Sequence, residues 1–278
     1  MVKEEILDIK TLLDHYERFS QKQADVILMK PSTHNLNHNA NGVMFLKPEI
    51  CNIPLEKLSM VLEYIKLMAN IYSEEIYMIS GKHLIQQKII DDIYKRIKKK
   101  STLNIGKETK KHQHLTRKDS ELKDSDYILG SLELAKKGLS PEHIIKLWEQ
   151  GPIIKMDNAL YGIPCVLNNI KVVLTNGFFP YQYEQYISDA SKILLFFFKT
   201  KTSFPVLKRY FQGSAEPFKR HQNSIRQYLA DFMVKHSLGI LDMSRNGIHL
   251  SENQYEGKKE VKIFTESLTK HYKYAGGN

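Results

Sequence analysis

Apolar residues recur at helical spacing through residues 3–23, at Ile6, Ile9, Leu12, Leu13, Tyr16 and Phe19, which predicts an amphipathic N-terminal helix. Two short apolar runs follow, Val26-Ile27-Leu28-Met29 and Val43-Met44-Phe45-Leu46, and each ends in Lys-Pro. Proline stops a ladder and leaves the lysine at the strand's mouth, so both runs read as strands. From Pro54 the spacing turns helical, with Leu55, Leu58, Val61, Leu62, Ile65 and Met68 on one stripe. Residues 75–79 alternate as a strand, and residues 82–97 place Leu84, Ile85, Ile89, Ile93 and Ile97 on one helical face. Strand, helix, strand, helix is the opening of an α/β sandwich.

Residues 98–126 break this order. Lys98-Lys99-Lys100, Lys107, Lys110-Lys111 and Arg117-Lys118 stand among few apolar residues, a composition expected of a mobile, solvated excursion. A nucleic-acid-binding arm is the sharper alternative, although the aromatics that would stack on bases are missing. Ordered structure is expected again over 127–137, and Ser140-Pro141-Glu142 is a helix start ahead of Ile144, Ile145, Leu147 and Trp148. Residues 157–175 show no clear period beyond a strand or buried segment at 170–174. A helix over 181–187, a central strand over 193–198, a helix from Phe204 to Phe211 and a last helix over 254–272 complete the pattern.

Composition adds limits. The 278 residues are 42% hydrophobic and 26% charged, which is ordinary for a globular protein. No apolar stretch approaches the roughly 18 residues that span a bilayer, and Met1-Val2-Lys3-Glu4-Glu5 lacks a signal-peptide layout. Cys51 and Cys165 have neither metal-ligand nor disulfide spacing, so the expectation is a cytoplasmic protein without membrane partners. His34 and His38 have the spacing of a metal pair but no third ligand, and they read as part of a turn; no metal site is expected. The net charge of +10 favours anionic partners. Much of it lies between Lys95 and Lys123, the stretch that would meet nucleic acid.

The candidate chemistry lies near the C-terminus. Ser244-Arg245-Asn246-Gly247-Ile248-His249-Leu250-Ser251-Glu252 sets one histidine in a short polar loop, with Glu260 eleven positions on along a helix face. Neutral imidazole is a competent nucleophile near pH 7. Lys47, Arg209, Arg226, Asn246 and His249 together supply three positive charges, an amide and that nucleophile. Phosphoryl transfer calls for this inventory, because its catalysis is mostly positioning and charge stabilisation of oxygens.

These residues resemble those of the nucleoside diphosphate kinases. Phe45-Leu46-Lys47-Pro48-Glu49 resembles the family's Lys-Pro-Asp at the end of its first strand. Gly177-Phe178-Phe179 with Tyr186-Ile187-Ser188 resembles its Pro-Phe-Phe segment and helix. Lys208 to Pro217 resembles Gly-Arg-x-x-x-Gly-x-Thr-x-Pro, Ser224-Ile225-Arg226 resembles Thr-Ile-Arg, and Asn246 to Glu252 resembles Asn-x-x-His-Gly-Ser-Asp. Ala215 stands where the family has threonine, Leu250 where it has glycine, and Glu252 where it has aspartate. Lys30 shares the strand-end Lys-Pro with Lys47, and Glu49 favours Lys47.

The resemblance implies a ferredoxin-like α/β sandwich with an antiparallel sheet. It divides the chain into an N-terminal extension (1–42), the first part of the kinase-like domain (43–97), a basic and helical insertion (98–170) and the second part (171–278). By it, His249 takes the terminal phosphate of ATP or another nucleoside triphosphate and passes it to a nucleoside diphosphate. Glu260 orients the imidazole, and Ser251 helps to orient the phosphates. Lys47, Arg209, Arg226 and Asn246 hold phosphates and sugar, Phe178 stacks on the base, and Mg²⁺ arrives with the nucleotide. A homo-oligomer is implied as well. The alternative expectation is a catalytically weak nucleotide-sensing or nucleic-acid-associated module with the same fold and pocket.

Overall fold

The computed structural model describes residues 9–22, 25–30, 40–68, 72–117 and 119–275. His34 and His38 lie outside the described residues. Among the described residues the strands are β1 (Val26–Lys30), β2 (Gly42–Leu46), β3 (Tyr72–Ser80), β4 (Asn104–Gly106), β5 (Tyr127–Gly130), β6 (Ile154–Asp157), β7 (Leu160–Leu167), β8 (Ile170–Thr175), β9 (Lys192–Lys199) and β10 (Ile248–Leu250). The protein is mixed α/β, with two sheets in which antiparallel pairing dominates. Its contacts divide it into two compact units, one formed by 1–89 with 185–278 and the other by 90–184.

The first unit holds a five-stranded sheet in the order β1-β3-β9-β2-β10, every neighbouring pair antiparallel. β2 is buried at every position, and residues 193–198 of β9 are as well. Both strands are therefore continuous apolar runs rather than alternating ones, because both faces of the sheet are covered. On one face Met44, Leu46, Leu194, Phe196, Ile248 and Leu250 join a core with the helices Leu55–Met68 and Ile225–Lys235. On the other, Phe45 and Phe197 meet Phe264 of the last helix, Gln254–Ala275, and Phe45 also meets Tyr186. His249 pairs across the ladder with Phe45 and so shares this second face.

Residues 82–97, expected as one helix, are divided among Gly81–Gln86, Ile89–Ile93 and Lys95–Lys100. Lys88 breaks the run by adopting φ 55°, a left-handed conformation that no α-helix continues through. Apolar spacing of 3.6 fits three short helices as readily as one long helix.

The second unit has its own sheet in the order β4-β5-β8-β7-β6, with β5 and β8 parallel and the other pairs antiparallel. One face sets Ile105, Ile128 and Val173 against Leu115 and Leu122 from the short helices Lys110–Thr116 and Ser120–Lys123. The other sets Ile163 and Leu174 against Leu134, Ile144 and Trp148 from the helices Ser131–Lys136 and Pro141–Trp148. Residues 98–126 are therefore not a solvated excursion. Their few apolar residues are spaced too widely to register as a pattern, yet Ile105, Leu115 and Leu122 are buried with Ile128, Met156, Leu160 and Val173 from β5, β6, β7 and β8, and Leu103 packs against them partly buried. Among the described residues no helix is long and apolar enough to cross a membrane.

Candidate functional site

His249 lies on a strand and not in the expected loop: β10 is only three residues long, too short to show an apolar pattern, and its pairing with β2 determines where each side chain points. Ile248 and Leu250 enter the core, so Leu250, where the resemblance has glycine, serves as a core residue. His249 takes the opposite face, where its ring stacks on Phe45 with centroids 4.5 Å apart and planes 11° from parallel. Its Nε2 lies 3.1 Å from Glu260 Oε1. A carboxylate accepts and does not donate, so Nε2 carries the proton and the neutral ring's lone pair is on Nδ1. The second oxygen of Glu260 accepts from Ser251 Oγ at 2.5 Å, and that hydroxyl accepts from the Val43 N–H at 2.9 Å. Glu260 is 7% exposed. The carboxylate is thereby fixed from two sides, and with it the plane and tautomer of the imidazole.

The loop before β10 is shaped by two carboxylates. Glu49 accepts from the Gly247 N–H at 2.9 Å, and the Lys47 N–H donates to the Gly247 carbonyl at 3.0 Å. Gly247 has φ 76°, a left-handed conformation that favours glycine, and a Cβ there would also press on Leu229 Cδ1 at 2.7 Å. Asp242 accepts from the backbone of Ser244 and Arg245, from the Ser244 hydroxyl and from the Arg245 guanidinium. Burial pushes the Asp242 carboxyl up, but these hydrogen bonds outweigh it and hold the group below the usual carboxylate range.

Lys47 is 3% exposed. Burial lowers its ammonium to about 8, partly offset by Glu49 and reinforced by Arg226. Arg226 donates to Gly213 O at 2.9 Å, Asn246 Oδ1 at 3.1 Å and Ile248 O at 3.0 Å. Asn246 donates in turn to Met243 O at 2.9 Å. Lys47, Arg226, Asn246, Ser251, His249 and Glu260 are thus brought together around β10.

β10 is an edge strand, and the carbonyls of Ile248 and Leu250 face away from β2. Side chains cap them: Arg226 and Gln212 reach Ile248 O, and Lys208 Nζ reaches Leu250 O at 3.1 Å. Lys208 also pairs with Glu252 at 2.9 Å. Burial lowers the Lys208 ammonium, an effect opposed by Glu252. Lys208 lies on a π-helix, Leu207–Gln212, which ends with the Gly213 N–H donating five residues back to Lys208 O at 3.0 Å. The wider turn changes which residues face the strand. Arg209 is exposed, with its guanidinium 5.1 Å from the centre of the Tyr210 ring.

Phe178 belongs to the second unit, where its ring meets Trp148 edge to face at 5.7 Å. Lys30 ends β1, at the opposite edge of the sheet from β10, so only Lys47 is delivered to the histidine strand. Sequence reasoning missed Lys208, Gln212 and Asp242. The Asp-x-Ser spacing at 242–244 is a turn signal that points to the last of these; the π-helix gives no sequence signal. No protein-family model matches the chain, and no curated protein or solved structure matches it either.

Proposed function

We propose that the protein is a phosphotransferase that moves the terminal phosphate of a nucleoside triphosphate to a nucleoside diphosphate through a phosphohistidine at His249. The observation that carries this reading is the Ser251–Glu260–His249 relay on an edge strand, with Lys47 and Arg226 beside it. In the forward half-reaction, Nδ1 of His249 attacks the terminal phosphorus. The bond from that phosphorus to its bridging oxygen breaks, and the diphosphate leaves with the electron pair. An acceptor diphosphate then attacks the phosphohistidine and restores the imidazole. Glu260 stabilises the positive charge that develops on the ring, and Lys47 and Arg226 offset the charge on the phosphate oxygens. Asn246 and Ser251 contribute polar contacts at the loop and strand.

Among the described residues no three His, Cys, Asp or Glu side chains group to hold a metal. The donors around His249 are ammonium, guanidinium and amide groups, which suit phosphate oxygens. In this reading magnesium arrives with the nucleotide as its counter-ion, held mainly by phosphate oxygens.

The first unit's strand order also supports the reading. Apart from β1, its strands run β2, helix, β3, β9, helix, β10 along the chain and lie in the order β3-β9-β2-β10. A ferredoxin-like sandwich, the fold that the resemblance implies, has the same strand order, and this agreement supports the reading, with 90–184 as an insertion after the second strand.

The test is intact mass after incubation with Mg·ATP, beside a His249→Ala variant. One acid-labile phosphoryl group on the native protein alone, discharged by added diphosphate, is the expected result. No gain on either protein would sink the enzyme reading.

A second reading is favoured by one feature of the other unit. Lys95, Arg96, Lys99, Lys107, Lys110, Lys111 and Arg117 are all exposed there. In this reading the chain is a nucleic-acid-associated module with weak turnover. Binding of an RNA or DNA oligonucleotide that falls steeply with added salt is its expected signature.

A further inference from the structure

The three side chains that cap the open edge of β10 are not equivalent. Arg226 and Gln212 both serve Ile248 O, and Arg226 is further committed to Gly213 and Asn246. Lys208 is committed differently. One of its three N–H donors goes to Leu250 O, the carbonyl of the residue directly after His249, and its charge is met by Glu252. The Glu252 side chain is 72% exposed, whereas that of Lys208 is 28% exposed. The anion that holds Lys208 is therefore a solvated side chain, and an ion pair with such a partner is weak because water competes for the carboxylate. The cation stays tied to the histidine strand by a carbonyl, while its counter-ion is easily exchanged.

We propose that Lys208 is the mobile cation of the site, exchanging Glu252 for the phosphate oxygens of a bound nucleotide while its bond to Leu250 O keeps it beside His249. This deepens the phosphotransferase reading and rests on it. It assigns to Lys208 the phosphate contact that the sequence pattern gives to the neighbouring Arg209, whose guanidinium lies over Tyr210 at the surface. The cause is the π-helix: the i−5 bond from Gly213 to Lys208 O widens the turn, and the strand is served by residue 208. Glu252 acts as a stand-in anion that keeps the ammonium charged and in place between turnovers. A purely structural role for Lys208, capping an edge carbonyl, is the competing account.

Three variants separate these accounts: Lys208→Gln, Lys208→Arg and Glu252→Gln. Each is read by thermal midpoint and by the rate of His249 phosphorylation as a function of Mg·ATP concentration. The expected result is a roughly 100-fold lower maximal rate in Lys208→Gln, the size of losing one charge-stabilising donor. Lys208→Arg retains most of the rate. Glu252→Gln is expected to phosphorylate at least as fast as the native protein, with half-saturation at about two- to fivefold lower nucleotide, because the competing anion is gone. A lower midpoint with native labelling in Lys208→Gln would leave only the capping role and overturn the proposal. A loss in Glu252→Gln equal to that in Lys208→Gln would do the same.

The phosphotransferase reading fails separately, if the native protein takes no label. Calorimetry with ADP and with inorganic pyrophosphate then decides the point. Weaker binding in Lys208→Gln and tighter binding in Glu252→Gln support the anion exchange without the chemistry, and unchanged binding in both variants overturns it.

Discussion

Lys47 and Glu260 are both buried polar side chains at the candidate site. An ammonium lowered to about 8 by desolvation is charged at neutral pH and loses its proton as pH rises through 8. In the phosphotransferase reading, kcat/KM for nucleotide is expected to fall above about pH 8, because that quantity follows the free protein. Lys47→Arg is expected to remove this limb of the profile, since guanidinium does not titrate there. A profile flat to pH 10 in the native protein contradicts the assignment. Glu260 orients the imidazole from one side while Ser251 steadies Glu260 from the other. Glu260→Gln is expected to slow labelling of His249 by roughly 10- to 100-fold, with little change in nucleotide binding measured by calorimetry.

At the scale of elements, the last helix is held to the first unit by more than its apolar stripe. His83, in the helix Gly81–Gln86, meets Ser267 of the last helix at 2.7 Å, and both side chains are buried. Burial lowers the His83 imidazole to about 4, reinforced by His271 and opposed by Asp25. The folded protein therefore keeps His83 neutral at pH values where the unfolded chain, with an ordinary imidazole, binds a proton. That penalty is absent above about pH 6.5, grows as pH falls toward 4 and levels off below it. Thermal midpoints measured from pH 7.5 to 4.5 are expected to decline less steeply in His83→Asn than in the native protein; parallel slopes would remove the claim.

The turn after the π-helix is an equally sharp test. Gly213 has φ 85°, and a Cβ there would fall 2.2 Å from the Ser224 hydroxyl, which caps the helix Ile225–Lys235. Gly213→Ala is expected to destabilise the protein by about 2–4 kcal/mol in denaturant titration, combining a left-handed strain with the loss of a helix cap.

At the scale of the whole molecule, the interrupted path of the chain has a measurable consequence. It leaves the first unit after Ile89, builds a second sheet with cores on both faces, and returns at Gln185. Hydrogen exchange is expected to show slow amides in β4, β5 and β8, where Ile105, Ile128 and Val173 are paired and buried. Uniformly fast exchange across residues 98–126 would restore the solvated excursion that composition suggests. The first unit's fold is legible wherever the apolar pattern is dense. Helices and strands around Val43–Leu46, Leu55–Met68 and Ile193–Phe198 follow from spacing alone, because both sheet faces are lined by long apolar runs. The second unit is less legible: Ile105, Leu115 and Leu122 are isolated among lysines, and their burial depends on strands that come later in the chain.

The sequence by itself determined the identities that matter at the candidate site: the histidine, the glutamate eleven positions on, the strand-end Lys-Pro and the arginine after Ser-Ile. Those are legible as short ordered motifs through the resemblance to the nucleoside diphosphate kinases, each carried by a few neighbouring residues. The tertiary structure decided which residues share the site. Register between β10 and β2 turns His249 toward Glu260 and sends Leu250 into the core. Sheet order brings Lys47 beside β10 and puts Lys30 at the far edge. The π-helix presents Lys208 to the strand while Arg209 lies at the surface. Such outcomes depend on hydrogen bonds between residues tens to hundreds of positions apart and on a single backbone bond's change of phase, neither of which a linear pattern of polar and apolar residues encodes.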